Sequence, residues 1–113
     1  MNRKLQSILL QYVEKVKEIY ADQLVRVILY GSYARGDYNA ESDIDVMILI
    51  NADAETVKAK NEELIFMTYD FNTEFGLDIQ PFARSKEFFD YWVDAHPFYK
   101  NVNKEGVTLY EAA

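Results

Sequence analysis

Two aspartates separated by one residue, Asp43 and Asp45, begin a run of apolar residues that reads IDVMILI from 44 to 50. Side chains two positions apart in a strand point to the same face. These carboxylates would therefore repel each other unless a cation lies between them or water surrounds both. Carboxylate oxygens suit Mg²⁺ or Mn²⁺. The pair indicates a divalent-cation site, and a solvated aspartate that ends a turn is the alternative.

A third acid, Asp78, lies between Leu77 and Ile79 in a short apolar segment. A buried charge has to be paired or bound to a metal, so Asp78 is a candidate ligand unless it faces water at a sheet edge. Gly31 and Ser32 follow another apolar run. Glycine permits close backbone approach, and Ser32 at a helix N-terminus could bind a phosphate. An ordinary helix cap would explain the same pair of residues.

The hydrophobic pattern predicts the elements that carry these residues. Apolar residues at three- and four-residue steps predict an amphipathic helix over residues 1–20. Asp53 is expected to cap a later helix and Gly76 to end it, while Pro81 places the third strand near an edge. The full prediction has strands at 24–30, 44–50 and 77–83, helices at 33–35, 53–73 and from Ser85 to near His96-Pro97, and a last short strand in the tail GVTLYEAA.

The connections between these elements predict a topology. The helix between the second and third strands is long enough for a crossover, so those two strands should be parallel and joined by a right-handed connection. Asp43 and Asp45 would then lie near Asp78, because parallel strands begin at the same end of a sheet. If the first strand pairs antiparallel with the second, Gly31 and Ser32 reach that end as well.

Composition limits the classes of function that remain. The chain has 113 residues, which indicates one domain spanning 1–113, and it has no cysteine, which excludes disulfides and thiolate zinc sites. The sequence contains no run of about 18 apolar residues, so it predicts no membrane-spanning helix. A net charge of −7 opposes binding to nucleic acid but permits a nucleotide carried with a divalent cation. We expect a cytoplasmic protein.

The separate features combine into one pattern, GS-x10-D-x-D followed by a lone aspartate. This pattern resembles the signature of the DNA polymerase beta-like nucleotidyltransferase superfamily. The string GSYARGDYNAESDIDVMILI is similar to the minimal nucleotidyltransferase (MNT) domains, and so is the C-terminal stretch HPFYKNVNKEGVTLYE. The resemblance therefore extends over nearly the whole chain.

The resemblance implies a nucleotidyltransferase fold of the α/β (α+β) class, with a small mixed β-sheet flanked by helices. It also implies an enzyme that transfers a nucleoside monophosphate from ATP and releases pyrophosphate. In this family the matching Gly31 and Ser32 bind phosphates. The matching acids, Asp43, Asp45 and Asp78, hold two Mg²⁺ ions, with Mn²⁺ as an alternative, and are the catalytic residues.

Arg35 lies close to the expected phosphate site in the sequence. We consider two roles for it: binding of the nucleotide through a phosphate, or pairing with Asp37 or another acid to fix the loop. His96 is expected to cap or pack a helix rather than to act in catalysis. The aromatic residues at helical spacing in the last third of the chain are expected to form core or partner interface: Phe88, Phe89, Tyr91 and Trp92.

The resemblance to MntA-type antitoxins implies a partner as well. Such antitoxins inactivate a HEPN-domain ribonuclease toxin by adding AMP to one of its tyrosines, so we expect a hetero-oligomer with that toxin and no direct binding of nucleic acid or membrane. Two alternatives stay open. The fold could neutralise its toxin by binding alone, or it could modify a small molecule with the help of a second subunit.

Overall fold

The structure, a computed structural model, describes all 113 residues. A four-stranded sheet carries helices on both faces, and none of these helices is both long and apolar enough to cross a membrane. The strands are β1 (Leu24–Tyr30), β2 (Ile44–Ile50), β3 (Ile79–Ser85) and β4 (Val107–Glu111). The helices are α1 (Arg3–Tyr20), α2 (Ser32–Arg35), α3 (Ala54–Ala59), α4 (Asn61–Phe75), α5 (Lys86–Trp92) and α6 (Pro97–Glu105), and a 3₁₀ turn (Ala21–Gln23) follows α1.

The strand order is β3-β2-β1-β4. β2 and β3 are parallel, whereas β1 is antiparallel to both β2 and β4. The predicted parallel pair, the predicted antiparallel pair and the edge position of the proline-containing strand are all confirmed. The mixed sheet flanked by helices is the fold class that the sequence predicts.

Several boundaries differ from the prediction around α4. The helix predicted at 53–73 is two helices, because Lys60 departs from helical geometry with φ −96° and ψ 0°. Asp53 caps the first of them by accepting a hydrogen bond from the Thr56 amide at 2.8 Å. Gly76 ends the second with a φ of +65°, in the left-handed region where glycine has no steric penalty. The chain then needs Leu77 and Asp78 to reach the sheet, so β3 begins two residues later than predicted.

The last third of the chain contains one helix that the prediction missed. α5 ends at Trp92 rather than near His96, and Ser85 makes no side-chain capping bond to it. A separate helix, α6, begins at Pro97, a residue that fits the first position of a helix because its missing N–H needs no partner there. His96 caps α6, its Nδ1 accepting a hydrogen bond from the Phe98 amide at 3.2 Å.

The two faces of the sheet are covered unequally. On the face covered by α1 and α4, here called the α1/α4 face, 17 buried residues form one hydrophobic cluster. On the opposite face, the α5/α6 face, the cluster contains six buried residues. Side chains alternate along each strand, so β2 and β3 contribute every second residue to each face.

Candidate active site

The register of the sheet brings the three predicted acids to one end. Asp43 directly precedes β2 and Asp78 directly precedes β3, while Asp45 is the second residue of β2. Ile44 pairs with Ile79, and the Ile44 amide donates a hydrogen bond to the Asp78 carbonyl at 2.9 Å. The residues flanking this pair are therefore neighbours across the two strands.

All three acidic side chains belong to the same face. Ile44, Val46 and Ile79 point into the cluster on the α1/α4 face. By the alternation of strand side chains, Asp43, Asp45 and Asp78 belong to the α5/α6 face. At this end of β2 and β3, the apolar side chains therefore face one side of the sheet and the carboxylates face the other.

Neighbouring carboxylates disfavour the ionisation of Asp43 and Asp45. The hydrogen bond that a protonated Asp43 carboxyl can donate to Asp78, reinforced by the charge of Asp78, raises the pKa of Asp43 above its ordinary value. Burial raises the pKa of Asp45, the Arg35 guanidinium opposes that shift, and Asp78 adds to it. Asp43 and Asp45 are therefore each close enough to another carboxylate for their ionisation to be disfavoured, an effect that a bound cation would offset.

Gly31 brings the loop after β1 against this group of acids. Tyr30 pairs with Asp45 in the β1–β2 register, and the chain turns at the next residue. Gly31 has a φ of +75°, and a Cβ atom there would clash with the Asp45 carboxylate. Both the conformation and the space require glycine at this position.

Ser32 and Arg35 are the first and last residues of the one-turn helix α2. The Arg35 Nε donates to an Asp37 carboxylate oxygen at 3.2 Å, and its Nη1 lies 3.7 Å from a Glu105 oxygen. The structure thus shows the ion-pairing role that the sequence offered for Arg35. A role in binding the nucleotide stays a prediction, as it does for Gly31 and Ser32.

Two residues that the sequence reasoning missed hold Asp78 in place. On α4, the Asn72 side chain accepts a hydrogen bond from the Ile79 amide at 2.9 Å and donates one to the Ile79 carbonyl at 3.1 Å. The Gln80 side chain donates to the Asp78 carboxylate at 2.7 Å. The backbone beside Asp78 and its carboxylate are therefore both restrained.

A small cavity of about 250 Å³ adjoins Gly31. It is lined by residues of β1, α2 and α6, which are Tyr30, Gly31, Arg35, Phe98, Asn101, Val102 and Glu105. Burial raises the pKa of Tyr30 to about 12, with the charge of Asp45 contributing, so this phenol stays protonated at neutral pH. The prediction missed this cavity because it missed α6.

His96 has the structural role that the sequence predicts. Besides capping α6, its ring contacts Tyr99 and Trp92 edge-on, with centroid distances of 5.2 and 6.2 Å. It does not line the cavity beside Gly31. Of the aromatic residues predicted as core or interface, Phe89 is buried, whereas Phe88, Tyr91 and Trp92 are exposed.

Comparison with known protein families identifies the fold. Residues 9–104 match the family model described as "Nucleotidyltransferase domain". The chain belongs to this family. It is 34% identical over 100 residues to "Putative protein adenylyltransferase MJ0604" of Methanocaldococcus jannaschii, covering 88% of this chain and 92% of that protein. It is 38% identical over 80 residues to MJ0141 of the same organism, which carries the same description, covering 71% and 79%.

Solved structures agree with the fold of this nucleotidyltransferase. One is titled as a "putative nucleotidyltransferase from Sulfolobus solfataricus", with a TM-score of 0.62, 22% identity and coverage of 96% and 81% of the two chains. Another is a mutant of the "toxin-antitoxin MntA-HpeT", with a TM-score of 0.54, 17% identity and coverage of 91% and 73%. A third is titled as a toxin-antitoxin "with AMP-PNP", with a TM-score of 0.55, 18% identity and the same coverage. At these identities the likeness shows the fold alone.

Asp43, Asp45 and Asp78 are the candidate ligands for the divalent cation that the family implies. No three acidic, histidine or cysteine side chains are prearranged to hold a metal ion. Asp43 lies close enough to Asp78 for the neighbouring carboxylate to raise its pKa. The donors nevertheless fit Mg²⁺, because all are carboxylate oxygens. Mg²⁺ usually takes one or two carboxylates and completes its shell with phosphate oxygens and water. The residues therefore fit a cation that arrives with the nucleotide.

Proposed function

We propose that this nucleotidyltransferase transfers AMP from ATP to a tyrosine of a HEPN ribonuclease toxin and thereby acts as its antitoxin. The observation that carries the proposal is the convergence of Asp43, Asp45 and Asp78 at one sheet end, where Gly31 packs against Asp45. The description of two relatives as protein adenylyltransferases supports AMP transfer to a protein. The toxin-antitoxin structures, one of them with an ATP analogue, support the partner and the nucleotide.

The openness of the site supports a macromolecular acceptor. Asp43 is exposed and Asp45 and Ser32 are half-buried, so no lid or deep pocket separates the acids from solvent. The adjoining cavity beside Gly31 has room for only part of a nucleotide. An acceptor residue on the surface of another protein could therefore reach the acids directly. The absence of cysteine fits our proposal that the reaction takes place in the cytoplasm.

Each site residue has a role in the proposed reaction. The missing Cβ of Gly31 lets the triphosphate approach the backbone, and Ser32 donates to a phosphate oxygen. Asp43, Asp45 and Asp78 would hold the Mg²⁺ ions, which when bound supply positive charge against the triphosphate. Asp78 would also accept the acceptor's proton, because a tyrosine hydroxyl has an ordinary pKa of about 10 and needs help to lose it.

The proposed reaction replaces one oxygen atom bonded to the α-phosphorus of ATP with another. A bond forms between the tyrosine oxygen and the α-phosphorus of ATP, and the tyrosine proton passes to Asp78. The bond between the α-phosphorus and the oxygen that bridges to the β-phosphate breaks. Pyrophosphate leaves and carries away that oxygen, so the product is an AMP-tyrosine phosphodiester.

The test is AMP transfer from ATP labelled at the α-phosphate to the co-purified toxin, followed by mass spectrometry of the toxin. The double variant Asp43→Ala with Asp45→Ala should lose the transfer. Asp94→Ala is a matched control, because Asp94 is exposed and lies outside the acidic group. Transfer that continues in the double variant would contradict the proposal.

The same experiment separates the two alternatives. A toxin that is silenced in a stable complex but carries no AMP would mean that the protein neutralises by binding. Label that appears on a metabolite and not on protein would mean a small-molecule nucleotidyltransferase.

A further inference from the structure

A groove of about 450 Å³ lies along the outer edge of β3, at the end remote from Asp78. One wall comes from α3 and includes Lys58, and the other comes from α5 and includes Phe88. The residues between these walls belong to the second half of β3. Because β3 is the first strand in the sheet order, no further strand covers this edge.

The edge of β3 is closed in its first half and open in its second. The backbone N–H and C=O groups of the even-numbered residues face β2, as the bond from the Ile44 amide to the Asp78 carbonyl shows. The backbone groups of the odd-numbered residues therefore face away from β2, toward the open edge. Asn72 satisfies both outward groups of Ile79. Pro81 has no N–H to offer. The next outward residue, Ala83, keeps its N–H and C=O available within the groove. Proteins usually block free strand edges, so an edge left open beside a groove is a candidate binding surface.

Two cations border this open half of the edge. Neither Lys58 nor Arg84 forms an ion pair or a side-chain hydrogen bond in the structure, although the chain carries 19 acidic residues and a net charge of −7. The Arg84 guanidinium carbon lies 4.7 Å from the Phe82 ring and 5.0 Å from the Phe88 ring. Its Nε is buried without a partner. A guanidinium held between aromatic rings loses little freedom when it binds a carboxylate.

We propose that this groove binds an extended acidic segment of a partner protein, which adds a strand to β3 and places a carboxylate against Lys58 and Arg84. Strand addition obtains affinity from main-chain hydrogen bonds and specificity from alternate side chains. A neighbouring cavity of about 380 Å³ continues the groove past Ser85 and Phe88. Because Asp53 and Glu87 also line it, this cavity would take uncharged residues of the segment, and the carboxylate would stay beside Lys58 and Arg84. That this partner is also the protein that accepts AMP rests on the proposed function.

The groove would hold the partner without occupying the acidic group. Asp78 and Arg84 are six residues apart, so at about 3.3 Å per strand residue they are separated by roughly 20 Å. A partner anchored at the groove would present its tyrosine to the acids at a raised effective concentration. Docking and chemistry would therefore be separable by mutation.

The test uses a fluorescein-labelled peptide, TVTVETVT, and a control peptide with lysine in place of the glutamate, both titrated without ATP. We expect the glutamate peptide to bind at least tenfold more tightly and to shift the amide NMR signals of Ala83 and its neighbours. Arg84→Gln with Lys58→Gln should remove this preference. Lys100→Gln should keep it, because Lys100 is exposed and lies away from the groove.

Equal affinity for the two peptides would overturn the proposal. An unchanged preference for the glutamate peptide in the double glutamine variant, once circular dichroism has shown that this variant is folded, would overturn it as well. Signal shifts confined to another surface would overturn it too. The variant with Asp43→Asn and Asp45→Asn should bind the peptide normally. If AMP transfer fails but the peptide binds, the proposed function is wrong and the docking proposal is supported. If the peptide does not bind but AMP transfer occurs at saturating acceptor, the docking proposal is wrong and the proposed function is supported.

Discussion

The α1/α4 and α5/α6 faces are made from alternate residues of the same strands, yet their compositions differ sharply. On the α1/α4 face, the buried polar side chain Thr68 is bonded to the Tyr12 hydroxyl at 2.7 Å within a cluster of 17 hydrophobic residues. The α5/α6 face buries six residues and carries the three carboxylates at its end. The first face buries little besides apolar groups, whereas the second carries Asp43 and Asp45, whose pKa values are raised by a neighbouring carboxylate and by burial, respectively.

This difference teaches how one small domain separates folding from chemistry. Apolar burial on the α1/α4 face supplies most of the driving force for folding. The α5/α6 face can then tolerate carboxylates that repel each other, an arrangement that lowers stability but would serve the cation and nucleotide binding that we propose. Substitutions on the two faces should therefore separate stability from activity.

The largest expected effect is on activity. Asp43→Asn with Asp45→Asn should reduce AMP transfer by at least about 10³-fold, because charge stabilisation is usually the largest contribution to such reactions. The midpoint of thermal unfolding should stay the same or rise, because the repulsion is removed. Initial rates with labelled ATP and calorimetry measure the two quantities. A variant that loses activity only because it unfolds would break the comparison.

The next effect is on stability. Ile48→Ala removes a fully buried side chain from the α1/α4 face and should lower the free energy of unfolding by about 2–5 kcal/mol. Turnover of the remaining folded protein should be nearly unchanged at low temperature. Leu10→Ala is the control, because Leu10 is exposed and should cost less than about 0.5 kcal/mol. Urea unfolding curves measure both, and a large loss of turnover in Ile48→Ala would contradict the separation.

Asn72 connects the two faces, so its removal should affect both properties moderately. Asn72→Ala leaves the Ile79 amide and carbonyl unpaired and should cost about 1–3 kcal/mol of unfolding free energy. AMP transfer should fall roughly tenfold, because misplacing Asp78 slightly weakens positioning. Thr73→Ala, one residue along α4 and exposed, should change neither. Full activity in Asn72→Ala would show that the backbone beside Asp78 needs no such restraint.

The smallest effect concerns pH. The pKa of Asp43 is raised above 3.8 by the hydrogen bond and charge of Asp78. A raised folded-state pKa means that the folded protein holds its proton more tightly than the unfolded chain. That stabilisation is present below about pH 4 and is lost as the pH rises through the folded-state value. Asp43→Asn should therefore gain stability over the parent protein as the pH rises from 4 to 7. If the difference in unfolding free energy between Asp43→Asn and the parent protein is constant over this range, Asp43 and Asp78 do not repel each other as described.

The sequence predicted the elements with the strongest patterns well. β1 and β2 match the predicted residues 24–30 and 44–50, because continuous apolar runs bounded by polar loops leave little choice of boundary. From these strands and the crossover, the convergence of Asp43, Asp45 and Asp78 followed. The placement of Gly31 and Ser32 at the same end also followed, since an antiparallel pair brings the end of β1 beside the start of β2.

Features that depend on tertiary contacts were beyond this reasoning. α6 was missed because its first turn contains proline and aromatic residues that also suit a loop. The Asn72 contact joins residues seven apart whose meeting depends on the turn after α4. The pairing of Arg84 with two aromatic rings depends on how α5 folds back on β3.

The most direct test of the central claim uses Mn²⁺ with a non-hydrolysable ATP analogue and the amide NMR spectrum of the protein. Paramagnetic broadening should be confined to residues around Gly31, Asp43, Asp45 and Asp78, should require the nucleotide for its full extent, and should disappear in the Asp43→Asn and Asp45→Asn double variant. Broadening centred on another surface, or retained at full strength in that variant, would contradict the assignment of the reaction to the α5/α6 face.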